Sequence, residues 1–151
     1  MIAGAEGYKS KTLATWIALI AGSLGLHRFY LHGLADLRGW LFPLPTLIGV
    51  YGVQRMRAFG ADDHLAWVCI PFLGLTLSIA MITAILHGLT PDDAWNARFN
   101  PHGPAHRTGW STIIGVIAAL VVGAGVLMAT IAFSAQRYFE YQAEAEQRGE
   151  T

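Results

Sequence analysis

The residues best suited to chemistry in this chain fall in two short segments. His27, Arg28, Phe29 and Tyr30 put an imidazole, a guanidinium and a phenol next to one another. A guanidinium at the end of an apolar helix keeps its charge among lipid headgroups while its stem lies along apolar surface, and its planar fork binds phosphate or carboxylate bidentately. Phe29 and Tyr30 would anchor the same level. His27, Arg28 and Tyr30 are therefore candidates for a headgroup or partner-contact site, with Asp36 the nearest carboxylate. The second segment holds His102 and His106, separated by Gly103-Pro104-Ala105. Two imidazoles suit a transition metal, but Gly and Pro between them do not supply helical i, i+4 geometry, and a solvated turn is the expected role.

Other chemistry is thin. There is no Gly-x-Ser-x-Gly, no His-Glu-x-x-His and no phosphate loop. Ser23, Ser78 and Ser111 stand in apolar segments without an evident base, which suits packing or capping. No catalytic residue and no cofactor is expected, and the chain reads as a non-enzyme. Cys69, the single cysteine, has no second thiol to pair with and reads as a small packing residue.

The elements that must position these residues are apolar helices. Residues 110–133 carry no charged side chain. At roughly 1.5 Å per residue they make a helix of about 36 Å, longer than the ~30 Å hydrocarbon core of a bilayer. Residues 12–26 and 65–86 have the same character, and a shorter run, interrupted by Pro43 and Pro45, covers 40–53; a short interfacial helix from Leu34 to Leu41 followed by a helix from about Pro45 to Arg57 would fit it. The chain is 54% apolar and 13% charged, against about 25% charged in ordinary soluble domains. Its Lys and Arg are scattered and its net charge is zero, so it lacks the basic stripe that nucleic-acid binding requires. The reading is an all-α integral membrane protein with four transmembrane helices, the second short and Pro-interrupted.

That reading divides the chain into a cytoplasmic tail (1–11), a two-helix unit (12–57), a second helical hairpin (58–137) with a polar loop at 88–108, and a second cytoplasmic tail (138–151). Lys9 and Lys11 followed by an apolar run would also suit a signal peptide, but the three later hydrophobic segments favour an uncleaved anchor. Pro91, Pro101 and Pro104 favour turns in the loop. With both termini on one side, Lys9, Lys11, Arg55, Arg57, Arg137 and Arg148 share that side, leaving Arg28, Arg38, Arg98 and Arg107 on the other. The bias points to cytoplasmic termini. Ala14, Ala18 and Gly22 in the first span, and Gly115, Ala119 and Gly123 in the fourth, recur every four residues and form helix-docking stripes. No apolar span carries a charged residue of the kind that marks ion or proton paths.

Gly25-Leu26-His27-Arg28-Phe29-Tyr30-Leu31-His32-Gly33 resembles the signature of the TM-two domain family, the NINE-type membrane proteins, in which a Lys-flanked first helix ends in a Gly-x-His/Asp-Arg-Phe-Tyr-Leu-Gly turn. The resemblance spans about residues 9–57, with Gly25, His27, Arg28, Phe29, Tyr30 and Gly33 at the shared positions. It departs where His32 separates Leu31 from Gly33, and in the lack of any Asp or Glu between Leu37 and Ala61. It implies a small integral membrane protein. Together these features lead to an expected accessory, partner-binding or scaffolding subunit of a bacterial inner membrane, in contact with the bilayer and with a membrane-protein partner or a second copy. The alternative is a small transporter or channel-like oligomer.

Overall fold

The computed structural model describes residues 7–149, and the described residues form helices and turns without a strand. In chain order the helices are α1 (Lys11–Ala21), α2 (Leu26–His32), α3 (Leu37–Trp40), α4 (Pro43–Phe59), α5 (His64–Leu89), α6 (Asp92–Phe99) and α7 (Trp110–Arg148). A 3₁₀ turn, Gly22–Leu24, follows α1. Helix starts obey local chemistry. Ser10 accepts from the Leu13 N–H at 3.3 Å and Asp63 from the Leu65 N–H at 3.3 Å, each satisfying a donor that the first turn leaves free.

Helix α5 is the axis of the molecule, packed against α1, α4 and α7. Along its second half lies α1, with Ala18 buried among Ala80, Ala84 and Ala119, and Lys11 bonded to the Thr90 carbonyl at 2.8 Å. Along its first half lies α4. Gly49 rests on Leu73, Gly52 rests on Cys69, and the Thr46 and Thr76 hydroxyls are 3.2 Å apart. Two half-length helices thus lie end to end and together cover α5 once.

Between them the chain makes an excursion. Gly25, at φ 75° in the left-handed region, reverses its direction. A Cβ at Gly25 would also collide with the Gly39 carbonyl, so glycine is required twice over. α2 then runs back beside α1 until the Tyr30 hydroxyl accepts from the Ser10 N–H at 2.8 Å. Gly33 (φ 82°) turns the chain again, and α3 leads down to α4.

Four full spans are replaced by two helices long and apolar enough to cross a membrane, α5 and α7. The first apolar run stops at Ala21 because the Gly-rich stretch after it turns back. The second run does not suffer a proline break, because Pro43 begins α4 and Pro45 lies in its first turn, where a missing N–H costs nothing. The loop at 88–108 also differs from the expected turns, since it contains α6. Asp92 and Asp93 sit in that helix's first turn and Arg98 in its last, matching the helix dipole at both ends.

The two ends of the described residues differ from expectation as well. Lys9 bonds Asn100 beside α6, whereas Glu144 near the C-terminus meets His64 at the start of α5, 3.1 Å away. They lie at opposite ends of the helix stack, which we call the α6 end and the His64 end, because α1 with α4, α5, and α7 traverse it an odd number of times.

Close approach to α5 rests on small residues. Replacing Gly49 with Val would drive a side chain into the backbone nitrogen and Cβ of Leu73, whereas nothing lies within 4 Å of the position a Cβ would take at Gly125. Gly49→Val should destabilise the fold by about 1–3 kcal/mol of overpacking and so lower its thermal midpoint, and Gly125→Ala should leave the midpoint unchanged or raise it. Equal midpoints for Gly49→Val and the parent chain would contradict the packing described.

Candidate functional site

The α6 end carries the polar chemistry of the molecule. Lys11, 1% exposed, projects from the first turn of α1 and donates to Asp92 at 2.5 Å as well as to the Thr90 carbonyl. A cation out of water must be paired to be tolerated, and here it is. Asp92 also accepts from the Thr108 N–H at 2.8 Å and the Thr108 hydroxyl at 2.5 Å. Its carboxyl is held well below the usual carboxylate range, first by the bond from Lys11 and then by Thr108. Around this pair the N-terminal strap is tied to the loop. The Trp95 indole N–H and the Asn100 amide both donate to the Lys9 carbonyl, at 2.9 and 3.1 Å, and the Asn100 side-chain oxygen accepts from the Lys9 N–H at 2.8 Å. Sequence reading placed Lys11 and Asp92 on opposite sides of the bilayer; the fold makes them partners.

The two histidines of the loop have different surroundings. His106 is buried, with Nδ1 2.6 Å from the Tyr8 hydroxyl and its backbone N–H donated to Asn96, and burial lowers its pKa from the ordinary value. His102 is exposed on a turn. Among the described residues no three His, Cys, Asp or Glu side chains converge as metal ligands.

The His27–Tyr30 motif is split rather than gathered. His27, 2% exposed, is buried edge-on against Phe42, with ring centroids 5.3 Å apart, and 6.0 Å from the His87 ring. Phe29 lies against Gly39 and packs on Trp40 at 5.1 Å. Tyr30 is taken by Ser10 through its hydroxyl and by the Lys9 ammonium through its carbonyl, the latter at 2.6 Å. His27, Arg28 and Tyr30 therefore do not share one contact site. Arg28 is partly exposed, its Nε donating to Asp36 at 2.6 Å. Asp36 uses its other oxygen to accept the Arg38 N–H at 3.1 Å, capping α3. The Arg28 bond holds the Asp36 carboxyl below the ordinary range.

What gathers around Arg28 instead is a groove of about 460 Å³ lined by Arg28, His32, Ala35, Asp36, Arg38 and Arg98. A second depression of about 560 Å³ adjoins it, sharing His32 and Arg98 and adding Lys9. Burial, then the Arg28 charge, lowers the His32 pKa, so this imidazole offers hydrogen bonds rather than positive charge at neutral pH. Arg98 was missed as a site residue because α6 was not foreseen, although the acidic start and basic end of residues 92–99 carried the signal of a helix.

The small-residue stripes are used within the chain. Ala14 is buried with Leu31 and Trp95, Ala18 and Ala119 share a cluster with Ala80 and Ala84, and a Cβ on Gly22 would lie 2.7 Å from that of Ala80. Gly115 faces Thr15 and Trp16, and Gly123 faces Met81.

Comparison of the chain with protein-family models, with curated proteins and with solved structures gave no significant match.

The Lys11–Asp92 pair has a pH signature. In the unfolded chain Asp92 regains its ordinary pKa near 3.8, so the stabilisation from its lowered folded value is complete at neutral pH and is lost as pH falls below about 4. Amide protection in the first turn of α1 and in α6 should hold between pH 7 and 5 and fall below pH 4. Asp92→Asn should show weak protection at every pH, leaving Lys11 buried without a counter-charge. A variant that kept the parent's protection profile would remove the pair from its anchoring role.

Proposed function

We propose that this protein is a non-catalytic integral membrane subunit of a bacterial inner membrane that works through helix-face and interfacial contacts with a membrane-protein partner or a second copy. In this reading α5 and α7 are complete spans, and α1 with α4 forms a third, discontinuous one. The observation that carries it is the outer side of α7. Along its apolar half only Thr112, Gly115 and Ala119 are buried, while Ile117, Leu120, Val121, Met128 and Ile131 are 56–67% exposed. Large apolar residues over that length need lipid or protein against them. Since the small-residue stripes are consumed inside the chain, the surface left for a partner is broad and aliphatic. The resemblance of residues 9–57 to TM-two domains supports the same class.

Positive charge also orients the molecule. The α6 end carries Lys9, Lys11, Arg28, Arg38, Arg98 and Arg107, and the His64 end carries Arg55, Arg57, Arg137 and Arg148. This bias supports a cytoplasmic α6 end and N-terminal strap, with the C-terminal part of α7 on the other side.

One feature favours a second reading, a small transporter or channel-like oligomer. At the junction between α1 and α4 the Ser23 carbonyl accepts from the Thr46 hydroxyl at 2.6 Å, with Thr76 alongside. Broken helices with polar groups at the break are how many transporters bind solutes.

Purification from native membranes in mild detergent, with mass spectrometry of co-migrating proteins, separates the two. The first reading expects a stoichiometric partner, or a stable homo-oligomer that moves no solute or ion in liposomes; flux through the purified chain alone would replace it with the second. Labels at residues 7 and 149 should be accessible from opposite faces of a sealed vesicle. Labelling from one face would exclude the three-pass topology.

A further inference from the structure

We infer that the groove lined by Arg28, Arg38 and Arg98 is a binding site for a phosphate group, presented at headgroup depth by an anionic lipid of the bilayer. The inference rests on the membrane reading and adds a ligand class to it. Three guanidiniums from three separate elements, α2, α3 and α6, line one open groove with a single carboxylate, Asp36. That carboxylate is committed: one oxygen takes Arg28 and the other caps α3. Arg28 spends only Nε on it, which leaves the two terminal nitrogens of its fork for a ligand. Like charges gathered this closely repel one another, and an anion relieves the repulsion. Guanidinium geometry matches the oxygens of a phosphate bidentately, and the imidazole of His32 adds a hydrogen-bonding group without adding charge at neutral pH.

Depth and surroundings favour a lipid as the source. Leu34, Leu37, Trp40 and Leu41, on and beside α3, are 57–75% exposed and flank Arg38 in sequence. Such a short amphipathic segment rests its apolar side among acyl chains and holds its basic side at the headgroups. The Trp40 indole N–H donates to the Leu34 carbonyl at 3.0 Å, closing the segment into a compact turn at that level. The positive-charge bias places this end at the cytoplasmic leaflet, where anionic lipids attract basic residues.

The test uses the full chain in detergent. First, alkaline extraction of membranes decides whether the chain is integral, so that failure of the membrane reading is recognised on its own. Native mass spectrometry then measures retained lipid from equal mixtures of phosphatidylglycerol and phosphatidylcholine. The parent chain should prefer phosphatidylglycerol, and R38Q/R98Q should lose on the order of tenfold of that preference. R57Q/R148Q, which removes the same charge from the His64 end, should keep it. R38K/R98K, which retains charge without the planar fork and is the gentler change for folding, should fall between, with circular dichroism confirming helical content. Competition with glycerol phosphate assigns the source. Displacement at millimolar concentration means that the phosphate alone is recognised, and resistance means that the acyl chains contribute; either supports the phosphate site. Equal retention of both lipids by an integral parent chain, full preference in R38Q/R98Q, or equal loss in R57Q/R148Q would each overturn it.

Discussion

A buried ammonium sets the register of the α6 end. Lys11 has left water at the first turn of α1, and removing a charge from water costs several kcal/mol unless a counter-charge and hydrogen bonds meet it. Both come from the junction of α5 and α6, as Thr90 supplies a carbonyl and Asp92 a carboxylate. The start of α1 is therefore fixed against the last turn of α5. From that point the strap of residues 8–10 runs across Trp95 and Asn100, and its Lys9 and Ser10 in turn hold Tyr30. With Tyr30 held, α2 is held, and Arg28 and His32 are carried to the place where Arg98 arrives from α6.

The interior relies on a different economy. Within the membrane reading, apolar burial gives little drive for helices to associate, and close packing with internal hydrogen bonds holds the bundle together. Ala18, Gly22, Ala80, Ala84 and Ala119 let α1, α5 and α7 approach closely, and Gly49 and Gly52 do the same for α4. Some interior hydroxyls bond across helices, as Thr12 with Thr112 and Thr46 with the Ser23 carbonyl, and others are satisfied locally. Thr15, Thr76, Ser78 and Thr130 each donate to a carbonyl one turn earlier in the same helix, so they add polar atoms to the core without orphaning any.

Helix content, the two long helices and the small-residue stripes were legible because each depends on local composition and spacing. The end-to-end placing of α1 and α4 along α5 was not. Residues 12–26 are apolar enough to suggest one span, and what ends α1 is a reversal at Gly25 whose need appears only when the Gly39 carbonyl lies against it. Pro43 and Pro45 interrupt the second apolar run in the sequence, and the division they suggest, a short helix and then one starting near Pro45, is close to α3 and α4. The site was legible in part. Arg28 and Asp36 are close enough in sequence for pairing to be anticipated, and they pair. Arg98 lies 70 positions after Arg28, and only the fold brings it there; the same is true of Lys11 and Asp92. Long-range pairs of this kind leave no periodic trace in a single sequence.

The end-to-end arrangement of α1 and α4 bears on how the chain is made. Both are synthesised before α5, and α1, with 11 residues, is too short to cross a bilayer by itself. Within the membrane reading, the N-terminal third of the chain has no scaffold when it leaves the ribosome and must wait at the membrane surface, with its backbone groups facing water, until α5 is in place to receive it. Insertion of this protein is then ordered from the middle of the chain outward, and a nascent chain arrested before residue 89 would hold its first helices at the interface rather than in the bilayer.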